Sequence, residues 1–168
     1  MIDLAPIPYA QKAVLRNLME LCQHDYSEYN EANVDEHGLF GYRYLDHYWT
    51  EERRHPLFIR VAGHLAGFAL VRQTDEAVYE MAEFFILRKY RRQGIGRDAA
   101  HRIFARFPGR WQVAQEACNL PAQAFWRTVI AAYTGGQYTE TTRQVNARWQ
   151  GPMQEFITQQ GDDDDGMD

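Results

Sequence analysis

The chain has 168 residues, of which 45% are hydrophobic and 14% aromatic, and its formal net charge is −5. This length suits one domain, and the apolar content excludes a disordered chain. Five of the 23 acids lie in segment 161–168 and the remaining 18 balance the 18 basic residues, so a nucleic-acid-binding surface is not expected. We therefore predict one domain over residues 1–160 and a disordered acidic tail over residues 161–168.

The sequence carries no sign of a membrane, metal or disulfide partner. Its apolar runs stay below the roughly 18 residues that span a bilayer, and the N-terminus lacks the pattern of a signal peptide. Cys22 and Cys118 have no metal-ligand spacing and lie in apolar contexts, which favours buried, reduced thiols. We predict a cytoplasmic protein, monomeric or homodimeric, without bound metal, nucleic acid or membrane.

The N-terminal third is predicted to contain a strand and two helices. Residues 2–7 suit a short strand, and Pro8 suits the start of a helix. Apolar residues then recur at three-to-four spacing from Val14 to Cys22, which predicts a helix of about four turns. A second, short helix is predicted over residues 42–52.

The rest of the chain alternates strand and helix patterns. The predicted elements are a hairpin of strands 57–61 and 65–71, a third strand over 77–87, a helix from Ile95 to Phe107, a strand over 111–117, a helix from Pro121 to Gly135, and a closing strand pair within 137–157. This order predicts an α/β (α+β) fold: a mixed, mostly antiparallel central sheet of six or seven strands with helices on both faces.

A basic glycine loop joins the third strand of this middle region to the helix after it. It comprises Arg91, Arg92, Gln93, Gly94, Ile95 and Gly96, with Arg97 following. Its backbone N–H groups would converge with the positive end of the helix dipole, a geometry that binds phosphate. The two glycines permit close approach of an anion, and the arginines add positive charge.

Two phosphate ligands compete for this loop. Residues 94–99 also fit the dinucleotide pattern G-x-G-x-x-A, with Glu116 at the distance of a ribose-binding acid. A nicotinamide-dependent oxidoreductase would need several further βα units, however, and only about 70 residues follow. A dinucleotide is therefore the less favoured ligand.

The same loop resembles a known family. Arg91-x-x-Gly94-x-Gly96 is similar to the R/Q-x-x-G-x-G/A signature of the GNAT superfamily of acyl-CoA N-acyltransferases, and residues 119–126 resemble its later N-x-x-A-x-x-(F/L)-Y segment. The resemblance covers roughly residues 57–135. It implies a GNAT-like fold and an enzyme that transfers the acetyl group of acetyl-CoA to a primary amine.

The resemblance also implies which residues hold the coenzyme. The backbone of Phe84, Phe85 and Ile86 would bond the pantetheine arm where two strands splay apart, and the amides from Arg91 to Arg97 would hold the pyrophosphate. Asn119 would bond the pantetheine, or instead cap the following helix. Trp126 stands where the family often has tyrosine; it can donate a hydrogen bond but cannot act as an acid.

The catalytic base is predicted on the strand before the loop. Glu80 and Glu83 are both candidates, but residues three apart point to opposite faces of a regular strand unless a bulge intervenes. Glu83 lies nearer the expected splay and is favoured. Tyr133 is a candidate proton donor for the departing thiolate, although its spacing also fits the helix core.

The acceptor site is predicted in the acidic, tyrosine-rich segment. Residues 20–52 hold nine acids and one arginine, and Asp25, Tyr26, Glu28 and Tyr29 suit a cationic small molecule or peptide amine. A solvated helix with aromatic residues packed beneath it explains the pattern equally well. A non-catalytic acyl-CoA-binding sensor of the same fold is the main alternative function.

Overall fold

The computed structural model describes residues 1–147 and 149–158. The strands are β1 (Ile2–Pro6), β2 (Arg54–Val61), β3 (His64–Asp75), β4 (Val78–Ile86), β5 (Gly109–Ala114), β6 (Thr139–Gln144) and β7 (Gln150–Thr158). The α-helices are α1 (Lys12–Asn30), α2 (His47–Thr50), α3 (Ile95–Arg106) and α4 (Leu120–Thr134). The predicted α/β class is confirmed. The predicted tail at 161–168 falls outside the described residues.

The strands form one seven-stranded sheet in the order β1-β2-β3-β4-β5-β7-β6. All neighbours are antiparallel except β4 and β5, which are parallel. That parallel pairing joins only Val78–Glu80 of β4 to residues 110–112 of β5. Beyond it the two strands separate, so one edge of β4 from Met81 to Ile86 has no strand partner.

Apolar residues cover both faces of the sheet. Helices α3 and α4 pack on one face, around Phe104, Trp111 and Ile130. Helices α1 and α2 pack on the other, around Leu15 and Phe68. The separation between β4 and β5 therefore lies between two well-packed halves, which hold its walls in place.

The predicted hairpin of β2 and β3 is present, but its turn has two residues instead of the three expected, because His64 already belongs to β3. Ala62 and Gly63 both have positive φ, 49° and 81°, as a type I′ turn between β2 and β3 requires. The N–H of Leu87, just past β4, donates to the carbonyl of Ala66 on β3 (2.8 Å). Strands β2, β3 and β4 thus form a continuous antiparallel meander that ends at the glycine loop.

Three local predictions are wrong. The second helix spans four residues instead of 42–52, because residues 42–46 form turns in which Leu45 and His47 donate to Tyr42 and Tyr44 (both 3.1 Å). Strand β5 ends at Ala114 instead of 117, although the N–H of Ala117 still donates to Gln150 (2.9 Å). Cys118 is exposed, because it lies in the turn before α4.

Candidate active site

A bulge in β4 sets the direction of the two candidate bases. Leu70 of β3 pairs with Glu83, whereas its neighbour Val71 pairs with Met81, so Ala82 is an extra residue in β4. The extra residue shifts the side-chain alternation by one position. Glu80 and Glu83 consequently lie on the same face, the one covered by α1 and α2, which an unbulged strand would not allow.

Glu80 is held by two arginines. Its Oε2 accepts from Arg72 Nε (2.9 Å), and its Oε1 accepts from Arg143 of β6. Its side chain is only 8% exposed. A buried carboxylate with both oxygens in ion pairs has no free oxygen for a substrate, so Glu80 serves to hold β4 to β3 and β6.

Glu83 has a different environment. Burial raises its pKa from 4.5 to about 7, and a hydrogen bond from Tyr42 offsets only part of that shift. Burial likewise raises the pKa of the Cys22 thiol, with the Glu83 charge adding to it. Because its pKa lies near neutrality, Glu83 can accept and release a proton at physiological pH.

The glycine loop supplies uncapped amides. Gly94 has a φ of 78° and occupies the N-cap position of α3 without any side-chain cap, so the first N–H groups of α3 have no intrahelical acceptor. A Cβ at Gly96 would lie 3.2 Å from the Phe125 ring, which shows how closely the loop packs on α4. The free amides and the helix dipole together suit a phosphate group, as predicted.

Arg91 joins this loop to β4 and to α1. Its Nε donates to the Ile86 carbonyl (2.7 Å), and its terminal nitrogen pairs with Asp25 of α1. Arg88 donates to the other oxygen of Asp25 (2.7 Å). Partial burial raises the pKa of Asp25, but the hydrogen bonds from Arg91 and Arg88 outweigh it and lower the pKa overall. The positive charge expected from Arg91 is therefore largely balanced within the chain.

The end of α1 bridges the opening between β4 and β5. Asp25 contacts the loop after β4, whereas the Tyr26 hydroxyl donates to Glu116, just past β5. The thiol of Cys118 donates to the Tyr29 carbonyl (3.5 Å). Three of the four predicted acceptor residues thus join α1 to the walls of the opening, while Glu28 is exposed. Glu116, the candidate ribose-binding acid, is engaged by Tyr26.

The remaining predicted residues lie on the α3/α4 side. Asn119 caps α4, since its Oδ1 accepts from the Ala122 N–H (3.1 Å). Trp126 is buried against Phe84, with ring centroids 5.1 Å apart. Tyr133 packs on Phe104 at 5.3 Å. The sheet separates Tyr133 from Glu83, so the structure does not bring this candidate acid and base together.

Sequence reasoning did not identify the groups around Glu83. Tyr42 and Tyr48 both have their pKa raised by burial and by the Glu83 charge, while Arg54 acts in the opposite direction on each. The density of tyrosines in residues 42–48 was the available signal. These tyrosines belong to the segment predicted to bind the acceptor, but the Tyr42 ring is half-buried and the Tyr48 ring is buried.

The described residues include neither a membrane-spanning helix nor a metal-binding cluster. Within residues 1–147 and 149–158, no helix is long and apolar enough to cross a membrane. No group of three or more His, Cys, Asp or Glu side chains in those ranges is arranged to hold a metal ion.

Comparison with known families agrees with this fold. The sequence model of the acetyltransferase (GNAT) family matches residues 15–129. That match covers more than half of the chain, so the protein belongs to the GNAT acetyltransferase family. No curated protein sequence matches the chain.

Solved structures share the fold at low sequence identity. An acetyltransferase from Thermus thermophilus is 14% identical, with a TM-score of 0.70 over 94% of this chain and 97% of that one. The ribosomal-protein-S18-alanine N-acetyltransferase from Escherichia coli is 13% identical, with a TM-score of 0.59 over 97% and 98%. The aminoglycoside acetyltransferase AAC(6')-Ib in complex with coenzyme A is 13% identical, with a TM-score of 0.65 over 94% and 95%. These likenesses show the fold alone.

Replacing Glu83 and replacing Glu80 by glutamine should change stability in opposite directions. The pKa of Glu83 is raised from 4.5 to about 7 in the folded chain, so stability falls as the pH rises through this interval and the folded carboxylate becomes charged. Glu83→Gln should therefore raise the free energy of unfolding by about 2 kcal/mol at pH 8 and change it little at pH 5. Urea denaturation at both pH values measures this.

Glu80→Gln is the matched control on the same strand. It leaves two arginines, each about a third exposed, without their carboxylate, and should lower stability by about 2 kcal/mol at either pH. If Glu83→Gln destabilised the protein at pH 8 as much as Glu80→Gln does, the two carboxyl groups would not differ in environment as described.

Proposed function

We propose that the protein is an N-acetyltransferase that transfers the acetyl group of acetyl-CoA to a primary amine of a cationic small molecule or peptide. The observation that carries this proposal is the position of Glu83, which lies in the part of β4 that has no β5 partner, a few residues before the glycine loop. Such an opening gives an acyl thioester access to a base whose pKa suits proton transfer at neutral pH. Family membership supports the same reaction class.

The coenzyme would lie along the free edge of β4. The amide groups of its pantetheine arm would bond segment 84–86 as an added strand does, through the backbone groups of Phe84 and Ile86, because those of Phe85 face β3. Its pyrophosphate would bind the amides from Arg91 to Arg97, with Arg92 and Arg97 adding charge. Asn119 and Trp126 would line the α4 side of the same opening.

The alternation of N–H directions along β4 decides which backbone amide could stabilise the oxyanion. Arg91 donates to the Ile86 carbonyl from the side of the opening, whereas the N–H of Leu87 donates to β3. Because N–H directions alternate along a strand, the Ile86 N–H faces the opening and the Phe85 N–H faces β3. We assign the Ile86 amide to the oxygen of the tetrahedral intermediate.

The reaction would then use Glu83 as its base. The neutral amine nitrogen attacks the thioester carbonyl carbon, and Glu83 takes a proton from that nitrogen directly or through a water molecule. Collapse of the intermediate breaks the C–S bond and leaves the acetylated amine and the coenzyme A thiolate. Water can protonate this thiolate, since Trp126 cannot and Tyr133 packs on the far side of the sheet.

The acceptor would approach from the α1/α2 face. An open cleft of about 570 Å³ is lined by residues 40–44, Tyr42 among them. Aromatic ring faces in such a cleft can hold a cationic amine. Glu28, exposed on the last turn of α1, would add a carboxylate at its rim. The cytoplasmic location and the monomeric or homodimeric state stay predictions.

Loss of the base should abolish turnover. In Glu83→Gln we expect kcat/KM to fall at least about 100-fold, and in the unaltered protein kcat/KM should rise with pH through about 7 as Glu83 loses its proton. A thiol-release assay with acetyl-CoA and an accepted amine, from pH 5.5 to 9, measures both. Glu76→Gln, the same change in the β3–β4 turn, is the control; equal losses in the two variants would contradict the assignment.

Coenzyme binding should depend on Arg92 and Arg97, two exposed arginines that Asp25 does not hold. Arg97 pairs with its neighbour Asp98 (2.9 Å). Reversing both charges in Arg92→Glu/Arg97→Glu should weaken acetyl-CoA binding at least about tenfold, because both residues flank the proposed pyrophosphate site. Isothermal titration calorimetry at two salt concentrations measures the effect. Arg16→Glu on the exposed side of α1 is the control, and equal affinity in the loop variant and this control would overturn the site.

A further inference from the structure

A turn over residues 38–42 is fixed to α1 by one carboxylate. The two oxygens of Glu20 accept the backbone N–H groups of Phe40 (2.7 Å) and Gly41 (2.8 Å). Gly38 and Gly41 have φ values of 74° and 70°, which other residues adopt only with strain. The turn therefore has a defined shape and a charge-assisted attachment, which is unusual for an exposed loop.

This turn delivers Tyr42 to the face of β4 that carries Glu83. The Tyr42 ring packs on the α1/α2 core cluster that contains Leu70, the β3 partner of Glu83, and Phe85 of the same strand. Its hydroxyl lowers the pKa of the Glu83 carboxyl. The Leu45 N–H donates to the Tyr42 carbonyl (3.1 Å), so the residue is held on both its backbone and its ring. Tyr42 thus connects the attachment at Glu20 to the proposed base.

A second hydroxyl lies next to this contact. The Tyr48 side chain is only 3% exposed, and among the described residues its hydroxyl meets no partner at good hydrogen-bond geometry. It lies close to Tyr42 and Arg54. A buried hydroxyl of this kind has hydrogen-bonding capacity left for one more polar group.

We propose that Tyr42 is the positioning residue of the base Glu83, and that Glu20 sets its position through the 38–42 turn. The hydroxyl of Tyr42 donates to one carboxylate oxygen of Glu83 and leaves the other for the acceptor amine. Glu20 never approaches the reacting atoms and acts only through the turn. The inference rests on the proposed function in taking Glu83 as the base.

Several other charged or titratable groups surround Glu83 and must stay unchanged in the test. Cys22 of α1 and Tyr48 of α2 interact with the Glu83 charge directly. The charged groups next to these two, and those further along the same face, are Asp25 of α1, Arg54 of β2, Arg72 of β3, Glu80 of β4 and Arg91 of the loop. Tyr42→Phe removes one hydroxyl and keeps the ring among these groups, so it isolates the hydrogen bond.

The direct test is a carboxyl titration of the full chain without substrates. The chain is labelled with ¹³C-glutamate, and the Glu83 signal is identified as the one missing from Glu83→Gln. Because the Tyr42 hydroxyl stabilises the charged carboxylate, Tyr42→Phe should raise the pKa of Glu83 by about one unit. Tyr9→Phe, on the exposed N-terminal turn, should leave it unchanged. An unchanged Glu83 titration in Tyr42→Phe overturns the proposal.

Kinetics supply the second readout. In Tyr42→Phe the acidic limb of the kcat/KM profile should move upward by the same amount as the titration, with a loss of about tenfold at pH 7. If no amine is acetylated by the unaltered chain while the titration shift appears, the proposed function fails and the placement of Tyr42 stands. The two failures are therefore distinguishable.

A double-mutant cycle with Tyr42 tests the part that Glu20 plays. Glu20→Ala should shift the Glu83 titration in the same direction, and in Glu20→Ala/Tyr42→Phe the shift should equal that of Tyr42→Phe alone, because Glu20 acts only through Tyr42. Thermal melts confirm that each variant is folded at the titration temperature. Fully additive shifts would show that Glu20 acts on Glu83 by another route and would overturn its part in the proposal.

Discussion

The parallel pairing of β4 with β5 stops after three residue pairs, at Glu80. This leaves part of one edge of β4, in the middle of the sheet, with unused backbone groups, and buried backbone groups require partners. The two packed helix layers prevent the strands from closing again. The glycine loop, the end of α1 and the 38–42 turn all meet this opening, so its position determines where any coenzyme and acceptor could meet.

The bulge at Ala82 adds a second constraint. It turns two glutamates onto one face, and their surroundings then separate them chemically. Glu80 has two arginines and remains an ion-paired structural group, whereas Glu83 has hydroxyls around it and a pKa of about 7. Glu80 can therefore stabilise the sheet while Glu83 can serve as a base, because the neighbours of the two residues differ in charge.

Local patterns in the sequence predicted much of this molecule. The glycine loop, the N-cap at Asn119 and the β2–β3 hairpin depend on residues close in the chain, so spacing was sufficient to find them. The pairing of Glu80 with Arg143 and of Asp25 with Arg91 joins residues more than 60 positions apart, and no local pattern encodes it. The bulge depends on the register with β3, and the position of Tyr42 depends on a chain segment bound by Glu20. Neither has a local pattern in the sequence.

The central claim is that the opening beside Glu83 supports acetyl transfer to an amine. The most direct measurement is coenzyme A release from acetyl-CoA across a panel of polyamines, aminoglycosides and basic peptides, with the mass of the amine product followed in parallel. We predict amine-dependent release with one acetylated amine formed per thiol. Tight acetyl-CoA binding without any amine-dependent release would contradict the claim and favour an acyl-CoA-binding sensor.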